Sequence, residues 1–193
     1  MTVGPRLDLV VGCNGAGKST LIAETIQPDL VESTFVNADV IAKERWPDDP
    51  EGNSYAAARI AEAWRDRLIA EQKPLIAETV FSHPSKLELI GNARDAGLIV
   101  IVHAVMIPVN LAMLRVMGRA ESGGHNVPVD KIKGRYERLW PNVAEAIRLA
   151  DRARVWDNSD RQNRLIADFV DGVAARPVRW PAWTPTPLRA LTD

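Results

Sequence analysis

Residues 12–20 read GCNGAGKST, that is Gly12, Cys13, Asn14, Gly15, Ala16, Gly17, Lys18, Ser19 and Thr20. They satisfy the pattern G-x-x-x-x-G-K-[S/T], in which a glycine-rich loop wraps a phosphate with its backbone N–H groups. The loop follows the apolar run Leu7-Asp8-Leu9-Val10-Val11. It precedes a helix-compatible stretch from Lys18 to about Gln27, bearing Leu21, Ile22 and Thr25 ahead of Pro28. Strand, loop and helix in that order suit the chemistry, because the helix N-terminus adds its own N–H groups and dipole to the cradle. Gly12, Gly15 and Gly17 allow close backbone approach, and the stretch Asn14 to Thr20 supplies the nucleotide-binding backbone. Lys18 carries a charge that can follow the β- and γ-phosphates, and the Ser19 hydroxyl is the expected Mg²⁺ ligand. Cys13 occupies a variable position and reads as a passive filler.

Strand and helix patterns alternate outward from this loop. Thr34-Phe35-Val36 reads as a second strand ending at Asn37-Ala38-Asp39. Asn53 or Ser54 caps a long helix to about Glu71, with Ala57, Ile60, Ala61, Trp64 and Leu68 on one face. Pro74 to Val80 is a third apolar run, and Ser82 and Pro84 set up a helix from about Pro84 to Ala96 that stops at Gly97. Leu98 to Ile107 is continuous and rich in Val and Ile, as in a central strand of a parallel sheet. Asn110 caps a helix to about Glu121. The loop SGGHNVP follows, and then a helix from about Val129 to Ala150, bent at Pro141. Arg154 to Asp157 and Leu165 to Val170 read as short late strands.

This alternation, with connections of helical length, predicts an α/β fold: a three-layer P-loop NTPase sandwich with a mostly parallel sheet and right-handed crossovers. A helical lid is expected over about residues 110–140. Residues 1–176 form a single domain, and residues 177–193, PVRWPAWTPTPLRALTD, form an irregular Pro/Trp-rich arm packed over the surface.

Two acids follow strands and so emerge at the carboxyl edge, where open α/β sheets bind ligands. Asp39 is placed to accept a proton from an attacking hydroxyl, the alternative being that it caps the next helix. Asn37 reads as structural. Glu78, followed by Thr79, ends the run PLIAET and can hold a metal-bound water or a substrate hydroxyl, with substrate ranked slightly ahead. Arg115 and Arg119 share a helix face, Gly123-Gly124 breaks the chain, and Arg135 and Arg138 follow. Arg119 and Arg135 flank the glycines and suit a clamp on the transferred phosphoryl group. Arg115 and Arg138 read as solvated charges, and His125 as a loop cap.

Several function classes are disfavoured. Lys and Arg number 24 against 25 Asp and Glu, a net charge of −1, so no global field points to long nucleic acid or an anionic membrane. The single cysteine permits no intrachain disulfide and, with an N-terminus lacking a signal-like apolar segment, fits a cytoplasmic setting. ESGGH at 121–125 is followed by a charged helix rather than an apolar strand ending in Asp-Glu, unlike the signature loop of transporter ATPases. Asp157-Asn158-Ser159-Asp160 is a poor substitute for the base-reading motif of GTPases.

GCNGAGKST, NADVIA, ETVFSHPSKLELI and GRAESGGHNVPVDKIKGRYERL together resemble the zeta-toxin family, in its short bacterial branch, over about residues 6–160. That resemblance implies a small-molecule kinase that uses ATP or GTP to phosphorylate UDP-N-acetylglucosamine, with an antitoxin protein as partner. It also implies roles for Lys18 and Ser19 in the nucleotide loop, Asp39 in activating the sugar hydroxyl, Glu78 and Thr79 at the substrate-binding strand end, and Arg119 and Arg135 in clamping phosphate. The branch-specific Gly-Gly-His loop and the Val-Ile-Ala that follows Asp39 depart from the better-known members. Two other readings remain: a nucleotide-dependent switch without efficient transfer, and a kinase for an NAD-like dinucleotide.

Overall fold

The computed structural model describes residues 4–121, 129–160 and 162–193, with the side chains of 119–121 and 129–132 also outside the description. A seven-stranded sheet holds the centre. In chain order its strands are β1 (Arg6–Val11), β2 (Thr34–Val36), β3 (Leu75–Thr79), β4 (Ile99–Met106), β5 (Arg152–Asp157), β6 (Arg164–Val170) and β7 (Val173–Ala174). Their spatial order is β2-β3-β1-β4-β5-β6-β7. The first five are mutually parallel, and β6 and β7 return antiparallel. The sandwich with a mostly parallel sheet is therefore as expected, while the reversal at β6 is new.

The helices are α1 (Lys18–Leu21), α2 (Ala38–Arg45), α3 (Ser54–Ala70), α4 (Glu88–Asp95), α5 (Val109–Glu121), α6 (Val129–Leu149) and α7 (Thr186–Arg189). The chain moves one way across the sheet from β1 to β2 and the other way through β3, β4 and β5. Right-handed crossovers then put the helical run from α1 on one face and α3, α4 and α6 on the other. Strand interiors such as Leu7, Leu9, Val100, Val102 and Ala104 are fully buried between these layers.

Local details differ from the sequence expectations. The first helix is regular only through Leu21. It widens into a π turn at Ile22–Ile26 and tightens to a 3₁₀ turn at Gln27–Asp29, where Pro28 contributes no N–H. On α3 the buried stripe is Ala57, Ala61, Arg65, Leu68 and Ile69, and Trp64 is turned to solvent. Asn53 holds the capping position, but its side chain donates to the Asp49 carbonyl instead of capping the helix. A 3₁₀ turn, Pro84–Leu87, precedes α4 and is capped by the His83 ring accepting from the Ser85 N–H. Helix α6 runs on through Pro141. The arm at 177–193 is not wholly irregular: α7 buries Leu188, and Arg189 donates to the carbonyls of Pro181 and Thr184.

Candidate active site

The segments leaving the first five strands meet at the carboxyl edge of the sheet, and each carries a residue singled out by chemistry or position. Gly12 leaves β1 against the Val105 backbone, and the loop turns through a Cys13–Ala16 hydrogen bond of 3.1 Å. Gly17 lies at φ 88°, a left-handed conformation that glycine adopts without a side-chain penalty, and starts α1. Lys18 is buried, and its Nζ donates back to the Cys13 carbonyl at 3.2 Å. Asn14, Ser19 and Thr20 are exposed, while Gly15 and Ala16 are buried.

Glu78 at the end of β3 is the hub. Ser19 Oγ donates to its two carboxylate oxygens at 3.2 and 3.0 Å, Asn37 Nδ2 donates at 2.8 Å, and Lys18 Nζ stands 3.8 Å away. A carboxylate accepting from several donors beside a buried ammonium is fixed in position and orientation. The other end of the Asn37 amide caps α2, its Oδ1 accepting from the N–H groups of Asp39 and Val40 at 2.7 and 3.3 Å. The helix start is thus capped by Asn37, and the Asp39 carboxylate is exposed with no hydrogen bond or ion pair among the described residues. Thr79 is half-buried next to Glu78.

The arginines divide differently from expectation. Arg135 is exposed on α6, as is Arg138. Arg119 lies on α5, but its side chain, together with Gly123, Gly124, His125 and the centre of the anticipated lid, falls outside the described residues. Arg115 is not a solvated charge. Its Nη1 donates to the Gly15 carbonyl at 3.3 Å and its Nη2 to the Asn158 carbonyl at 3.1 Å. Asn158 in turn donates from Nδ2 to the Ala16 carbonyl at 2.7 Å. Sequence patterning presents Arg115 as a solvated charge and gives Asn158 no role, because backbone-directed contacts between distant segments leave no spacing signal.

Two further groups complete the electrostatics. Burial pushes the Cys13 thiol up to about 11, despite the nearby Lys18 charge, so the cysteine is inert at neutral pH, in keeping with a filler. Asp8 of β1 is fully buried between Arg6, which bonds both its oxygens at 2.6 Å, and His103 Nε2 at 2.9 Å. Burial pushes the Asp8 carboxyl upward, but the His103 and Arg6 bonds outweigh it and leave the group below its ordinary range. Burial dominates at His103, whose ring is held below its ordinary value in spite of Asp8. The neutral ring donates from Nε2, which leaves Nδ1 without a partner among the described residues.

A sequence profile for the zeta toxin family matches residues 3–167. The chain belongs to the zeta toxin family. An uncharacterized protein of Haemophilus influenzae is 29% identical to this zeta toxin family member over 126 residues, covering 65% of this chain and 88% of that protein. Among solved structures, one from the PezAT chromosomal toxin–antitoxin system of Streptococcus pneumoniae superposes with a TM-score of 0.68 at 17% identity, covering 86% of this chain and 72% of the other. AvrRxo1-ORF1:-ORF2 with ATP gives 0.69 at 14% identity over 89% of this chain and 60% of that one. Shikimate kinase from Acinetobacter baumannii gives 0.53 at 19% identity, covering 81% and 84%. At these identities the likeness shows the P-loop kinase-like fold. Among the described residues no helix is long and apolar enough to cross a membrane.

Proposed function

We propose that this chain is a nucleoside-triphosphate-dependent phosphotransferase that moves a γ-phosphoryl group to a hydroxyl of a small metabolite. A UDP-activated amino sugar, UDP-N-acetylglucosamine, is the acceptor that the family resemblance suggests. The observation that carries the transfer reading is the unequal commitment of two acids at one crevice. Glu78 is engaged by Ser19, Asn37 and Lys18, whereas the Asp39 carboxylate stands exposed and unpaired among the described residues. An unpaired carboxylate near the phosphate loop is available to take a proton from an attacking hydroxyl.

Mg²⁺ fits the donor set. Ser19 and Glu78 offer hard oxygens beside the loop, and among the described residues no group of three or more His, Cys, Asp or Glu forms a separate cage. An ion held by one or two protein oxygens together with nucleotide phosphates is the usual Mg²⁺ arrangement. When bound, it would neutralise charge on the phosphate oxygens. The Ser19 bond supports a metal-side duty for Glu78 over the acceptor contact anticipated from sequence, leaving Asp39 and Thr79 to the acceptor.

In the reaction, the loop N–H groups and Lys18 hold the donor phosphates. Asp39 accepts the hydroxyl proton as the acceptor oxygen bonds to the γ-phosphorus and the bond to the bridging oxygen breaks. The products are a phosphorylated acceptor and the nucleoside diphosphate. Arg119 and Arg135 are the proposed phosphate clamp. The PezAT relative comes from a toxin–antitoxin system, which supports a partner protein for this chain also. The reading puts the activity in the cytoplasm.

Purified protein incubated with Mg²⁺-ATP or Mg²⁺-GTP and UDP-N-acetylglucosamine, alongside a panel of small hydroxyl compounds, tests the proposal. Acceptor-dependent release of nucleoside diphosphate and a phosphorylated sugar nucleotide in the mass spectrum are expected. Phosphorylation of an NAD-like dinucleotide alone would overturn the acceptor assignment. Tight nucleotide binding with no transfer to any acceptor would overturn transfer in favour of a switch.

A further inference from the structure

We infer that Arg115 is a positioning residue that clamps α5 to the phosphate loop, so that nucleotide occupancy and the seating of α5 are coupled. The inference rests on the nucleotide-binding part of the function proposed above and assigns a duty outside the sequence motif. Helix α5 lies directly on the loop at Gly15. A Cβ there would meet the Arg115 Cβ at 3.2 Å, the Ala112 carbonyl oxygen at 3.3 Å and Val116 Cγ2 at 3.5 Å. Only a residue without a side chain, here at φ 79°, leaves room for so close an approach.

The polar contacts fix the orientation of the same peptides. Arg115 draws the Gly15 carbonyl toward α5 with Nη1 and holds the Asn158 carbonyl with Nη2. Asn158 is itself anchored, its N–H donating to the Met106 carbonyl at 3.0 Å and its Nδ2 to the Ala16 carbonyl at 2.7 Å. In a planar trans peptide the C=O and the following N–H point in opposite directions. Holding the Ala16 carbonyl against Asn158 therefore turns the Gly17 N–H the other way. One guanidinium thus ties three pieces together: the loop, the end of β5 through Asn158, and the helix that carries Arg119.

Arg115→Ala, Arg115→Lys and Asn158→Ala, each in the full chain, test the clamp by ATP affinity and by amide hydrogen exchange over residues 12–20 and 109–118. In the wild type, ATP is expected to slow exchange in both segments. Arg115→Ala should weaken ATP binding about 10- to 100-fold, as loss of two bonds from a charged donor implies, and abolish the ATP-dependent slowing in α5. Arg115→Lys, which keeps the charge but not the two-pronged reach, should restore part of both. In turnover, Arg115→Ala should raise the nucleotide KM and lower kcat together, whereas a merely structural loss lowers the active fraction and leaves KM unchanged. ATP-dependent slowing of α5 that survives Arg115→Ala, with unchanged affinity, would overturn the inference. Should the wild type bind no nucleotide, the proposed function fails by itself. The clamp is then read from ligand-free exchange, where Arg115→Ala and Asn158→Ala must both speed α5 and the loop or the inference fails too.

Discussion

Replacing Gly17 by alanine sets two structural statements against one measurement. The left-handed backbone at φ 88° costs an L-residue about 1–2 kcal/mol. The new Cβ would lie 2.1 Å from Asn158 Nδ2, too close for the amide to stay, so its bond to the Ala16 carbonyl is lost as well. Stranding those buried polar groups costs about 1–3 kcal/mol, for a total of about 2–5 kcal/mol. For a chain of this size that is a fall in Tm of roughly 4–20 °C. The decisive assay is a double-mutant cycle in thermal or urea unfolding with Asn158→Ala. Once the amide is gone, Gly17→Ala retains only its backbone penalty, so it should cost about 1–3 kcal/mol less in that background. Equal costs in both backgrounds would refute the contact between Asn158 and the loop.

Three other outcomes follow from the same geometry. Asp39→Asn should reduce phosphotransfer by roughly 10²–10⁴ while leaving nucleotide affinity unchanged, checked by single-turnover assay and calorimetry. Stability should decline as pH falls below about 6.5, because buried His103 resists protonation that the unfolded chain accepts there; Asp8, also depressed, adds a further loss below about 3.8. The His103 slope is at most about 1.4 kcal/mol per pH unit, and urea unfolding of His103→Gln should flatten the profile between pH 7 and 5. Leu188→Ala should destabilise the protein by about 2–5 kcal/mol in chemical unfolding, because this fully buried side chain fastens the arm.

The phosphate loop was legible because four specified positions at fixed spacing encode its geometry, and the parallel strands were legible as short apolar runs. Strand order was not, since β1 pairs with β3 and β4 through contacts that local patterning does not specify. Nor was the antiparallel return at β6, which an apolar run cannot distinguish from one more parallel strand. On α3, a strictly apolar stripe would have buried Trp64, but packing admits the long stem of Arg65 instead. Of the candidate site, Lys18 and Ser19 were singled out by the loop motif, and Asp39 and Glu78 by their places after strands. Arg115 and Asn158 act on backbone carbonyls 100 and 142 residues away along the chain, and only the folded arrangement reveals them.

Asn37 bears on how far this crevice can be altered. Its planar amide reaches Glu78 with one end and the start of α2 with the other, so a single rigid group gauges the gap between the two acids. Aspartate would keep the cap yet oppose Glu78 with like charge, and serine would keep the cap but fall short of it. Under the proposed function, changes that enlarge the crevice to admit a different acceptor would therefore come from around Thr79 and the outer turns of α2, because neither exchange at Asn37 keeps both of its contacts.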